Sequence, residues 1–321
     1  MKKPFLLLFA YLLSGAAFAQ ELKVIVPSNS DSYSINARIL ARHIVKYLPE
    51  KPNVVIQEMP GAYSVVAANY LYELAPRDGN TIGTFYKNIP LIGVMGGPTI
   101  KYDASKFTWL GSTADGREDA VMLWSNKSGP VEKYRTEELV VGSENIVAGD
   151  PTILVRDLLG IKMKLVAGYA NSSTARLALE RKEIDAAVYS LIGIKTAKPD
   201  WLKLESDIKP ILQFGNGIIR HKDYPNISTL AEYTTEKDLL NVYEKQFILL
   251  RPFVAPPNIP ADRAQQLRDA FDKTMTDLEF LAEAKKANID VKLINWQEAE
   301  KIVTDTTNAP DQVIQKIKEL K

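Results

Sequence analysis

Short apolar runs alternate with amphipathic helical patterns along almost the whole of this 321-residue chain. That alternation restricts it to an α/β fold with largely parallel sheets. Leu22 to Val26 reads as a buried strand. The helix after it places Ala37, Leu40, Ala41, Ile44 and Leu48 on one face and Arg38, Arg42 and Lys46 on the other, and Pro49 ends it. Asn53 to Gln57 is a second strand, Pro60-Gly61 a turn, and Val65, Ala68, Leu71, Tyr72 and Ala75 form the stripe of a second helix. Pro76 to Gly79 breaks the chain before a third strand, Thr81 to Phe85. Further strands are expected at Leu139 to Gly142, Leu165 to Gly168 and Ile184 to Tyr189. Among them Asp150-Pro151 has the form of an N-cap with proline at the first helical position, Gly160 is placed to close that helix, and Ala175 to Glu180 makes another.

The first residues have a separate purpose. Lys2 and Lys3 precede an apolar run from Pro4 to Leu13, and Ala17-Phe18-Ala19 has the small-x-small pattern of a signal-peptidase site. The run is shorter than the roughly 20 residues of a spanning helix. Residues 1–19 are therefore expected to be a cleaved secretory signal, leaving a free chain that starts at Gln20 in a periplasm-like space. The chain has no cysteine, which removes lipid attachment at the cleavage site, disulfides and thiolate metal sites.

Charge and motif content narrow the function. The 40 basic residues, two of them in the leader, face 39 acidic ones, whereas a nucleic-acid binder would show a basic excess. Only His43 and His221 could serve as imidazole bases, the first beside an apolar stripe and the second in the turn-rich run "RHKDYPN". No G-x-S-x-G elbow, phosphate-binding loop, G-x-G-x-x-G or paired-histidine motif occurs, and "GVMGG" at 93–97 reads as a turn. The chain is thus expected to be no enzyme and to need no cofactor or metal.

What remains is a set of polar strand exits. Ser28-Asn29-Ser30, Ser143-Glu144-Asn145 and Asn171-Ser172-Ser173 each follow a strand and lie before or at the start of a helix. Any one of them reads as an ordinary N-cap. Together they suggest a ligand, because open α/β sheets bind ligands at the carboxyl ends of strands and helix starts favour anions. Lys87, just past the strand Thr81 to Phe85, belongs to the same edge as the first turn.

The ordered series Met59-Pro60-Gly61-Ala62, Ala67 to Tyr72, Ala75 to Gly79, Ile82 to Phe85, Phe107 to Ser112, Arg251-Pro252-Phe253, Ala255-Pro256-Pro257 and Phe280 to Ala284 resembles the extracytoplasmic receptors of tripartite tricarboxylate transporters, the Bug or TctC-like family. The resemblance covers nearly the whole mature chain. It implies a two-domain periplasmic binding protein (Venus-flytrap) fold, with residues 20–122 and 248–321 in a first lobe and 123–247 in a second. The chain would exchange lobes near Val121 to Trp124 and near Phe247 to Phe253. It further implies a small organic acid as ligand, membrane permease subunits as partners, and a monomer. A periplasmic sensor that presents its closed state to a signalling receptor would have the same site, and an enzyme on the same fold is a remoter alternative.

Carried onto this chain, the ligand loops are Ser28, Asn29, Ser30, Tyr33 and Ser34 on one side, with Tyr86 and Lys87 beside them. Across from these stand Ser143, Glu144 and Asn145, then Tyr169, Ala170, Asn171 and Ser172, and finally Tyr189 and Ser190. The first loop departs from the family pattern: it lacks the usual glycine pair, and Ser34 stands where relatives carry an aspartate.

Overall fold

The computed structural model describes residues 20–28, 32–143, 150–169, 172–214 and 219–320, with Glu118 as backbone only. Eleven strands lie among these residues: β1 (Glu21–Val26), β2 (Asn53–Glu58), β3 (Thr81–Thr84), β4 (Thr108–Ser112), β5 (Val121–Ser125), β6 (Leu139–Gly142), β7 (Met163–Val166), β8 (Ala186–Ser190), β9 (Lys209–Phe214), β10 (Pro252–Ala255) and β11 (Ile294–Asn295). The helices are α1 (Ser32–Ile44), α2 (Val65–Asn69), α3 (Ile89–Met95), α4 (Pro151–Leu159), α5 (Ser172–Glu180), α6 (Leu191–Ala197), α7 (Lys237–Glu244), α8 (Ala261–Thr274), α9 (Leu278–Lys286), α10 (Trp296–Thr307) and α11 (Asp311–Glu319). None is long and apolar enough to cross a membrane.

The strands form two mixed sheets, ordered β11-β4-β10-β3-β1-β2 and β7-β6-β8-β5-β9. In the first, β2, β1 and β3 run parallel, and β10 is inserted antiparallel between β3 and β4. In the second, β7, β6 and β8 run parallel and β5 pairs antiparallel with both β8 and β9. Each sheet buries both faces, which is why the parallel strands read as near-continuous apolar runs. Leu22, Val24 and Val26 of β1 face Leu40, Ile44, Leu267 and Phe280, while Ile25 faces Val65, Leu71, Phe85 and Trp109. In the second sheet, Leu123 and Val141 pack with Leu154, Leu159 and Tyr243, and Met122 and Trp124 with Leu179, Ile194 and Trp201.

Chain direction places the functional edge. The chain leaves β4 at Ser112 and enters β5 at Val121, which pairs with Ser190 at the end of β8. The carboxyl edge of one sheet is thus tied to the carboxyl edge of the other. The return crossing runs beside the outgoing one as a short ladder. Thr113 N–H donates to Arg251 C=O at 3.1 Å, Gly116 N–H to Ile248 C=O at 2.9 Å and Leu250 N–H to Ala114 C=O at 3.3 Å, around an Asp115–Leu249 bridge. Gly116 is needed where the strands of this ladder approach. A Cβ there would sit 1.6 Å from the Phe247 carbonyl oxygen.

Most expected elements are present, with informative shifts. The α1 stripe is buried as read, Asp150 caps α4 by accepting from Thr152 N–H at 2.7 Å, and Gly160 closes that helix at φ 61°. Strand β7 lies two residues earlier than expected, in register with Leu139–Gly142, and Gly168 at φ 98° prevents its extension. The run "AVMLW" is no crossing strand, because β5 lies wholly inside the second sheet with a neighbour on each side. The run 246–254 is a single 3₁₀ turn (Lys245–Phe247), a bridge and then β10. Gly93 lies within α3, and only Gly96 and Gly97, both at positive φ, end it. The last helix was expected with the first lobe. Instead α11 buries Val313, Ile314 and Ile317 in the core of the second sheet beside Leu239 and Tyr243, and Lys316 Nζ donates to Glu236 Oε2 at 2.6 Å.

Candidate functional site

At the end of β1, Ser28 and Ser34 close the polar turn on itself. The Ser34 hydroxyl is fully buried and accepts from Ser28 N–H at 3.3 Å, and the two hydroxyls lie 3.4 Å apart. Asn29 and Ser30 lie outside the described residues. One turn into α1, Asn36 is also fully buried and donates its Nδ2 to Thr113 Oγ1 at 2.7 Å, which fixes the helix start to the outgoing crossing. Tyr33 meets Tyr86 edge-on at 5.0 Å between ring centroids, and Tyr63 meets Tyr86 at 6.1 Å. Tyr63 comes from a run the sequence did not signal. Ala62, Tyr63 and Ser64 all have left-handed φ, at 44°, 52° and 70°, a conformation that costs non-glycine residues energy and concentrates at functional sites. Ser64 Oγ accepts from Tyr86 N–H at 3.1 Å and so ties the strained run to the exit of β3.

The charged centre lies beside these rings. Lys87 is half-buried as a residue, but its ammonium is set deep, 4.4 Å from the centroid of the Phe247 ring on the return crossing. Burial pushes this ammonium down to about 8, against the opposing pull of Asp119. Arg251 is 9% exposed, and burial lowers its pKa too, opposed by Tyr33, Asp290 and Asp119. Its guanidinium donates from Nη1 to Asp290 C=O at 3.3 Å. Neither cation forms an ion pair with a carboxylate among the described residues. Asp119, 4% exposed, is the acid they share. Its Oδ1 accepts from Ala120 N–H at 2.9 Å and from Ile192 N–H, at the start of α6, at 3.0 Å. Burial raises its pKa against those donors, the Lys87 charge and the Ser190 hydroxyl.

On the second sheet, Ser143 donates to Asp150 Oδ2 at 2.9 Å, buttressing the α4 cap. Glu144, Asn145, Ala170 and Asn171 lie outside the described residues. Tyr169 is half-buried with its ring edge against Gly142, where a Cβ would come within 3.1 Å of it. Ser172 opens α5, and Ser190 caps α6 by accepting from Gly193 N–H at 3.0 Å. Tyr189 packs its ring 6.1 Å from that of Trp201, with the Arg176 guanidinium 5.5 Å from its centroid, at the helix-covered face of the sheet.

The structure therefore brings Ser28, Tyr33, Ser34, Tyr86 and Lys87 to one edge and adds Tyr63, Asp119, Phe247 and Arg251. The sequence carried traces of two of the additions, Phe247 at the expected return crossing and Arg251 within the motif "RPF". A metal-like grouping of His43, Asp277 and Glu279 lies on the outer face of α1 and α9. Lys46 Nζ already serves as its cation, at 2.8, 3.0 and 2.5 Å from His43 Nδ1, Asp277 Oδ2 and Glu279 Oε2.

Two α/β sheets joined at their carboxyl edges by a double crossing, with buried cations at the junction, define the two-lobed periplasmic binding protein fold. Solved structures share it over almost the whole chain. A TctC solute binding protein from Polaromonas superposes with a TM-score of 0.65 at 16% identity, covering 95% of this chain and 98% of that one. The periplasmic binding protein BugD gives 0.65 at 15%, covering 94% and 97%. MatC from Rhodopseudomonas palustris, with bound malate, gives 0.66 at 15%, covering 92% and 100%. No family model and no curated protein matches the sequence.

Proposed function

We propose that this protein is an extracytoplasmic solute-binding receptor of the tripartite tricarboxylate type, which captures a small organic carboxylate between two lobes and delivers it to a membrane permease. The observation that carries this reading is the buried Arg251 and the deep-set ammonium of Lys87, two cations at the junction of the sheets with no carboxylate in an ion pair among the described residues. Burying a cation is costly without a counter-charge, so an anion arriving here recovers energy that the empty site forgoes. The serine turn and the start of α1 add hydroxyl and N–H donors at the same edge. Relatives in fold include one with bound malate and one with adipate.

In this reading residues 20–112 and 252–310 form one lobe, 121–247 the other, and α11 reaches from the first to the second. The 113–116 and 248–251 ladder is the hinge. The leader is removed after Ala19 and the mature receptor works in the periplasm, which mass spectrometry of secreted protein checks by the mass of a chain starting at Gln20. A thermal-shift panel of carboxylates, amino acids and sugars tests the ligand class. Saturating ligand at about 100 times Kd adds about 2.7 kcal/mol to stability. A melting point that moved only with sugars would refute the carboxylate reading.

A further inference from the structure

Asp119 does not fit a site built for anions alone. It stands at the end of the outgoing crossing, three residues beyond Gly116, whose C=O accepts its N–H at 3.1 Å. Gly116 in turn abuts the backbone of Phe247, whose ring carries the Lys87 ammonium. The carboxylate is therefore part of the wall that holds the two cations. Its Oδ1 is satisfied twice by backbone N–H groups of the second sheet's edge, and the Ser190 hydroxyl lies near enough to favour the ionised carboxylate, while Oδ2 makes no hydrogen bond of normal geometry among the described residues. The cation beside it, Lys87, lies over the Phe247 ring and forms no ion pair with it. An ionised oxygen left unpaired in a buried place is costly, and such groups in native proteins call for an explanation. A carboxylate ligand cannot supply the missing partner, since both groups are acceptors.

We propose that Asp119 Oδ2 accepts a hydrogen bond from an ammonium or hydroxyl group on the ligand, so that this receptor selects amino or hydroxy carboxylates over the corresponding unsubstituted acids. The inference rests on the carboxylate-receptor reading and sharpens it. Among recognition elements, a buried acceptor is the strong kind of filter, because an analogue that lacks the donor leaves the acceptor unpaired.

Matched ligand series titrated by calorimetry test this: propionate, lactate and alanine; succinate, malate and aspartate; glutarate, 2-hydroxyglutarate and glutamate; phenylacetate, mandelate and phenylglycine. In the series that binds, the wild-type protein is expected to prefer a donor-bearing member at least about tenfold over the unsubstituted acid. Asp119→Asn should shrink that preference about tenfold and raise the affinity of the unsubstituted acid severalfold, because a buried negative charge has been removed. If Asp119→Asn does not fold, the wild-type preference decides alone. Equal affinities within the binding series overturn the proposal. So does an Asp119→Asn variant that shifts both members of a pair together, since that is the mark of an acid that merely positions Lys87. Failure of every series to bind overturns the proposal and the carboxylate reading together, whereas binding without preference overturns the proposal alone.

Discussion

The Lys87 ammonium stands 4.4 Å from the centroid of the Phe247 ring, joining the exit of β3 to the return crossing. The ring face offers a desolvated cation about 0.5–2 kcal/mol. That is less than a charged hydrogen bond supplies, so Lys87 is held in place without being satisfied.

Removing it should show in binding before it shows in folding. Lys87→Met keeps the length of the side chain and its apolar contact but loses the charge. Carboxylate affinity is expected to fall by about 1.5–3 kcal/mol, the usual size for a hydrogen bond to a charged group, with a dicarboxylate losing more than a monocarboxylate. Calorimetric titration of both variants measures it; unaltered affinities would place Lys87 outside the site.

The same residue sets a pH dependence. In an unfolded chain lysine titrates near about 10.4, whereas in the folded, ligand-free protein burial brings Lys87 down to about 8. Between these values the unfolded state holds a proton that the folded state has released. Stability from this group is therefore lowest below about pH 8, where a charge is buried, and rises with pH through that window. A bound carboxylate draws the pKa back up, so binding should take up a proton at about pH 8.5 and affinity should fall as pH rises further. Titrations in two buffers of different ionisation enthalpy count that proton, and Lys87→Met should take up none.

Arg251 should not tolerate its usual conservative exchange. The planar guanidinium donates to the Asp290 carbonyl while leaving other N–H groups directed elsewhere. Lysine keeps the charge but not that fork. Arg251→Lys is expected to lose at least about tenfold in carboxylate affinity, a difference of about 1.4 kcal/mol, with a normal circular dichroism spectrum. Retained affinity would make Arg251 a packing residue.

The ladder between the crossings should be intolerant at one position. A Cβ at residue 116 would sit 1.6 Å from the Phe247 carbonyl oxygen, which is backbone and cannot swing aside. Gly116→Ala should cost about 1–3 kcal/mol, as overpacking does, and lower the melting temperature. It should also weaken ligand binding, because Phe247 and Asp119 are displaced together. A melting point equal to that of the wild type would show that the crossings can move apart freely.

The fold was largely legible in the sequence, because buried parallel strands and amphipathic helices leave periodic traces, as with β1 and the α1 stripe. Of the candidate site, the sequence indicated only residues in the loops and helix start that follow strands, such as Ser28, Ser34 and Lys87. Asp119, Phe247 and Arg251 lie on the crossings, where no period exists and nearness depends on how two distant segments pair. The left-handed run Ala62-Tyr63-Ser64 was hidden for another reason: it follows Gly61, which had already accounted for the turn. The C-terminal helix shows a further limit: an apolar stripe tells which face is buried but not which core receives it.

If Lys87 and Arg251 together receive the ligand's carboxylate at the junction of the sheets, removing both should abolish binding. The most direct measurement is a calorimetric titration of the best-binding carboxylate into the wild-type protein and into the Lys87→Met, Arg251→Met double variant, each first shown to be folded by circular dichroism. Saturable binding at one site in the wild type and none detectable in the double variant is expected. Undiminished affinity in a folded double variant would contradict it.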